Sequence, residues 1–129
     1  MFLFILGLIL MLGAVIVLCL GSQNELVQEI VPSYGLIFEG EMSRVFLTTD
    51  TQFCPNQIQT FYDSVDIIFH DCETTPFKSG VHAHFTDLAT LDEKTKKKMW
   101  LTHYADGDKP DAEEAVFAGY VAKGQVFNL

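Results

Sequence analysis

At 129 residues the chain has room for one domain at most, and its 49% hydrophobic against 19% charged residues makes it rich in apolar side chains. Its net charge is −9, from eight Lys and Arg against 17 Asp and Glu. That balance speaks against a general nucleic-acid binder, which carries a basic footprint. Three cysteines are too few and too scattered for a disulfide framework; Cys54 and Cys72 are able to pair, but free thiols are the simpler reading, the habit of a reducing compartment.

Met1 to Leu20 contains no charged residue and no proline. About 20 apolar residues in a helix span a hydrocarbon core of ~30 Å. The expectation is a transmembrane helix over residues 1–21 that contacts the membrane through residues 1–20. A signal peptide, or a segment joined on by a shifted reading frame, is the alternative. The first cation is Arg44, so the positive-inside rule leaves orientation open. The localisation expected is single-pass membrane, with the remainder on the cytoplasmic side. Residues 22–32 are polar and acidic and read as a linker.

From there the chain alternates short apolar runs with polar breaks. Ser33 to Glu39 and Arg44 to Thr48 read as two strands of a hairpin around Gly40–Ser43. Pro55 fits the first turn of a helix that carries Gln57 to Tyr62. Ile67 to His70 reads as a buried strand. Thr86 and Asp87 are suited to cap a helix with Leu88 and Leu91. Asp92 and Glu93 open another, and Lys94, Lys96, Lys97 and Lys98 close it as a solvated end. Met99 to Thr102 is a third apolar strand. Asp111 to Val116 suits a helical turn, and Val126–Phe127 a last edge strand. Strands alternating with short helices point to an α/β layered fold over residues 33–129.

Three of these strands end in groups able to bind a metal: Asp50, the His70–Asp71 pair, and His103. His82 and His84 sit in a loop. His and Asp suit zinc, manganese or iron. Each also has a plainer use, since Asp50 suits a turn and either loop His suits a helix entry or a packed position.

Five pieces occur in a telling order: Pro32-Ser33-Tyr34-Gly35-Leu36, Leu47-Thr48-Thr49-Asp50-Thr51, Ile67-Ile68-Phe69-His70-Asp71-Cys72-Glu73, Gly80-Val81-His82-Ala83-His84 and Trp100-Leu101-Thr102-His103-Tyr104. Together they resemble the second half of a metallo-β-lactamase-fold hydrolase of the ribonuclease Z-like kind. The resemblance implies half of an αββα sandwich, here preceded by the hydrophobic transmembrane helix. It implies Asp50 and His103 as metal ligands, His82 or His84 as the catalytic loop His, and zinc as cofactor, two ions in the complete fold. Thr49 stands where that family has Gly, and His70–Asp71 matches a supporting His-Glu pair. The His-x-His-x-Asp-His motif does not occur in the sequence. The function expected is therefore a truncated hydrolase, inactive by itself. The alternatives are a split hydrolase completed by a partner chain that supplies the missing half-domain, and a membrane-anchored binding protein without chemistry.

Overall fold

The computed structural model describes residues 15–19 and 33–129. They form one six-stranded mixed sheet in the order β1-β2-β3-β4-β5-β6. The strands are β1 (Val15–Cys19), β2 (Ser33–Glu39), β3 (Arg44–Leu47), β4 (Ile67–Asp71), β5 (Met99–Thr102) and β6 (Gly119–Tyr120). The helices are α1 (Pro55–Asp63), α2 (Phe85–Leu88) and α3 (Glu93–Lys96).

Two expectations are corrected here. Val15–Cys19 is a strand, paired antiparallel to β2 with Val15 opposite Ile37 and Cys19 opposite Ser33. An apolar run alone does not separate helix from strand, and Val15, Ile16 and Val17 are β-branched, which favours the extended form. No helix among the described residues is long and apolar enough to cross a membrane. The transmembrane helix, and the single-pass membrane localisation that rested on it, are set aside; residues 1–14 and 20–32 lie outside the described residues. The second correction concerns the half αββα sandwich. The described residues build a single mixed sheet with one nine-residue helix and two of four residues.

The hairpin is set by its turn and its ends. The Gly40 N–H donates to the Ser43 carbonyl (2.7 Å), and Glu39 faces Arg44 across the strands in an ion pair of 2.9 Å. The next three pairings are parallel. A parallel step needs a crossover, and α1 carries the first, from β3 to β4. The loop with α2 and α3 carries the second, from β4 to β5. Alternation along the strands then gives the sheet two faces. Ile37, Phe46, Ile68 and Met99 are register partners across four strands and are all buried. They pack with Ile58 and Tyr62 of α1 and Phe85 and Leu88 of α2.

The opposite face carries a second row, Leu36, Leu47, Phe69, Trp100 and Gly119, again register partners. Phe127 covers part of it, meeting Phe69 and Trp100 edge-on at 4.8 and 5.0 Å. The tail continues to the hairpin turn, where the Glu41 N–H donates to the Leu129 carbonyl (3.1 Å). The expected strand at Val126–Phe127 is thus a packing segment, and the last strand is Gly119–Tyr120. Gly119 has φ of 144°, and a Cβ there would come within 3.0 Å of Trp100 Cζ3, so glycine lets β6 lie close under the indole.

The lysine run is also less solvated than expected. Lys96 is buried over Phe117 with its ammonium donating to the Ala89 carbonyl (3.1 Å). Lys98 Nζ donates to the carbonyls of Tyr62 (2.6 Å) and Val65 (2.7 Å), closing the C-terminal end of α1. Burial pulls the Lys98 ammonium below its usual value. Cys72 is a free, buried thiol, pushed up to about 12 by burial. Cys54 departs from the expected free thiol, being disulfide-bonded.

Asp92 caps α3, accepting from the Thr95 hydroxyl (2.7 Å) and the Thr95 N–H (2.9 Å). Asp92→Ala is expected to cost about 1 kcal/mol, read as a shifted urea midpoint at pH 7. The Thr95 hydroxyl and N–H hold the Asp92 carboxyl below its usual value. With the folded pKa below the unfolded one, this contribution is complete above about pH 3.9 and is lost as pH falls through the folded pKa. Asp92→Asn should keep the cap and remove its pH dependence.

Candidate metal centre

The parallel strands β3, β4 and β5 deliver their C-terminal ends to one edge of the sheet, where open α/β sheets commonly bind ligands. Asp50 follows β3, Asp71 ends β4, and His103 follows β5. His82 arrives from the loop between β4 and α2. These four residues bring one ligand-capable atom each within 4.8 Å of one another.

Asp71 is the floor of the cluster, with a side chain only 1% exposed. Its Oδ2 accepts from the Thr51 N–H (2.9 Å) and lies 2.7 Å from His82 Nδ1. Its Oδ1 lies 3.1 Å from His103 Nδ1. Asp50 forms the rim, 75% exposed, with Oδ1 3.2 Å from the same His103 nitrogen. The two imidazoles meet edge to face at 4.6 Å. Local backbone builds this arrangement. The Asp71 N–H donates to Thr48 Oγ1 (3.0 Å), tying the ends of β3 and β4 together. The loop that carries His82 is held by the Ala83 N–H on the Thr51 carbonyl (2.7 Å) and by Gln52 Nε2 on the Gly80 carbonyl (2.5 Å).

Two of the three non-glycine residues with positive φ among the described residues lie at this edge, Thr49 at 56° and His103 at 58°; the third, Val116 at 70°, lies elsewhere. For a β-branched residue such as Thr49 this region is an outlier. Its hydroxyl donates to the Tyr34 carbonyl (2.5 Å), which holds the residue in place. Backbone strain of this kind clusters at ligand clamps and reaction sites.

Of the residues singled out from sequence, Asp50, His82 and His103 come together. His84 does not join them. It is buried as the N-cap of α2, with Nδ1 on Thr86 Oγ1 (2.8 Å) and Nε2 on the Thr75 carbonyl (2.9 Å). The residue that sequence reasoning left in a supporting role is Asp71. Its signal was present: a carboxylate at the end of a buried apolar strand, in step with Asp50 and His103 at the ends of two others.

Behind the cluster lies a buried pair. His70 is fully buried, and burial pulls it down to about 4, so it is neutral at pH 7. His70 Nδ1 lies 2.7 Å from the Asp71 carbonyl, which can only accept, so this nitrogen carries the proton. Nε2 is then the acceptor for the Tyr62 hydroxyl at 2.6 Å.

The donor set fits a divalent ion of zinc type. Two imidazoles and two carboxylates are its ordinary ligands, and four ligands at about 2.0–2.2 Å in a tetrahedron stand about 3.3 Å apart. The spacings of 3.1 and 3.2 Å around His103 Nδ1 match that edge, whereas His82 Nδ1 stands 2.7 Å from Asp71 Oδ2 and the four atoms spread over up to 4.8 Å, so the side chains must adjust to close on an ion.

The family model described as Anti-Pycsar protein Apyc1 matches residues 18–127. The chain belongs to the Apyc1 family. An Apyc1 anti-Pycsar protein of Paenibacillus harenae is 38% identical over 76 residues, covering 58% of this chain and 30% of that protein. Anti-Pycsar proteins Apyc1 of Bacillus phages vB_BsuM-Goe3 and vB_BveM-Goe7 are each 36% identical over 76 residues, covering 56% of this chain and 28% of theirs. The match thus spans under a third of the length of these Apyc1 relatives. This membership replaces the ribonuclease Z-like assignment read from the order of motifs. The truncated-hydrolase reading goes with it, because the relatives carry the anti-Pycsar name.

Proposed function

We propose that this chain holds a divalent metal ion, zinc in the first place, between Asp50, Asp71, His82 and His103, and that this centre serves an anti-Pycsar role. The observation that carries the metal reading is the convergence of four ligand-capable atoms within 4.8 Å at the ends of three parallel strands. Family membership supports the anti-Pycsar role. Asp71 anchors the ion from the buried floor, His82 and His103 supply nitrogen, and Asp50 closes the solvent side. A bound divalent ion supplies a Lewis acid there, able to polarise an oxygen of whatever ligand enters.

Calorimetric titration of the full chain with zinc chloride tests this. Uptake of one ion per chain, abolished by His82→Ala combined with His103→Ala, is the expected result. No uptake up to millimolar zinc would leave a self-satisfied polar cluster, in which the Asp71 carboxylate is content with its three N–H donors. An anti-Pycsar assay of wild type beside Asp71→Asn then tests the role, with loss expected in the variant.

A further inference from the structure

The Tyr62–His70 pair is a costly feature to keep. It places two polar side chains, both 0% exposed, among Phe46, Ile68 and Leu101. Buried polar groups are tolerated when fully bonded, yet apolar residues of like shape would serve the core as well. What the pair touches suggests a reason. The chain of donors runs from the Tyr62 hydroxyl to His70 Nε2, and from His70 Nδ1–H to the carbonyl of Asp71. The neighbouring backbone is pinned from both flanks. Thr102 Oγ1 donates to the His70 carbonyl (3.0 Å), and the Asp71 N–H donates to Thr48 Oγ1 (3.0 Å).

We propose that His70 is a positioning residue for Asp71: held in one tautomer by Tyr62, it fixes the last peptide of β4 and thereby aims the Asp71 carboxylate at His82 and His103. This rests on the metal reading for its purpose but not for its geometry. The His70 ring is not one of the four ligand-capable groups of the cluster. It acts through the Asp71 main chain. A difference in aim matters because the Asp71 oxygens serve three donors at 2.7 to 3.1 Å, and a tilt of the peptide moves both oxygens at once.

The test separates positioning from packing. In Tyr62→Phe with His70→Leu both polar side chains are removed together, so the Asp71 carbonyl is the one group left without its donor, and the protein should fold with a modestly lowered melting temperature. The Thr51 amide, which donates to Asp71 Oδ2 at 2.9 Å, reports the carboxylate's place without any metal. Its hydrogen exchange should quicken by about tenfold or more, and zinc affinity should fall by about tenfold or more, the size seen when the partner that orients a metal ligand is lost. Tyr62→Phe with His70→Asn should restore both readouts to within about threefold, because the Asn amide can stand at the Nδ1 position. Should the Leu variant fail to fold, His70→Gln in the Tyr62→Phe background makes the same comparison, its amide lying at the Nε2 position away from the Asp71 carbonyl. Wild-type Thr51 protection and zinc affinity in the Leu or Gln variant would overturn the proposal. If wild type itself takes up no zinc, the metal reading falls alone, and Thr51 exchange still decides the positioning role.

Discussion

Asp71→Asn is expected to weaken zinc binding by on the order of 100-fold or more, measured by competition with a chromophoric chelator. Loss of an orienting partner already costs 10- to 100-fold, and Asp71 is a direct ligand candidate. Among the described residues its carboxylate is the one group that touches both imidazoles, at 2.7 and 3.1 Å. The amide is isosteric but presents N–H where donors now point, so it repels the Thr51 N–H and His82 if it lies at Oδ2, or His103 if it lies at Oδ1. Asp50→Asn is the natural control. The Asp50 carboxylate is 75% exposed and, among the described residues, meets His103 alone, at 3.2 Å. Solvent can replace what it supplies, so a smaller loss of about tenfold is expected. Equal, wild-type-like affinities for the two variants would show that the ion does not sit on this carboxylate.

The largest effect on stability belongs to Phe46. Its side chain is 1% exposed, at the centre of the buried row, with Phe61 and Tyr62 rings 6.0 and 6.1 Å away. It also lies across Gly35, where a Cβ would come within 2.7 Å of Phe46 Cε2. Truncation would open a cavity bordered by α1 and β2 that neither can close, since the sheet register fixes one side and the Lys98 bonds to the Tyr62 and Val65 carbonyls fix the other. Phe46→Ala is expected to cost about 3–5 kcal/mol, read from urea unfolding with an unchanged slope. Leu36→Ala, on the open face and 38% exposed, should cost only about 1 kcal/mol because that side chain leaves little empty space behind. Similar losses at both positions would mean that the Leu36 face is as well packed as the Phe46 face.

Elements whose signal is local were legible in the sequence. The Ser33–Glu39 strand has the bounds expected, and Pro55 does open α1. Asp92 and Glu93 do open α3, with Asp92 as its cap just ahead of the first turn. The misreadings share a cause: they depend on partners distant in the chain. Val15–Cys19 carries the apolarity of a membrane helix, and only its pairing with β2 makes it a strand. Gly119–Tyr120 has no strand signature, and its place is set by fitting beneath Trp100. At the candidate site, Asp50 and His103 showed as strand ends. Asp71 was harder to see because it sits beside His70, and in a strand two neighbours seldom serve one purpose. Here they do so by different routes: His70 turns to Tyr62 in the core while Asp71 turns to the open edge. His82 and His84 diverge because α2 begins at His84 and takes its ring as a cap.

Trp100 is the only tryptophan in the chain. Its indole is wedged between the Phe127 ring, 5.0 Å away, and Gly119. The protein therefore carries an optical reporter with a single address, since its tryptophan emission comes from this one contact. Release of the C-terminal tail would admit water to the indole and move that emission to the red while β5 stays paired. Because His103 stands three residues further along, the same signal offers a label-free view of the strand that feeds the candidate metal centre.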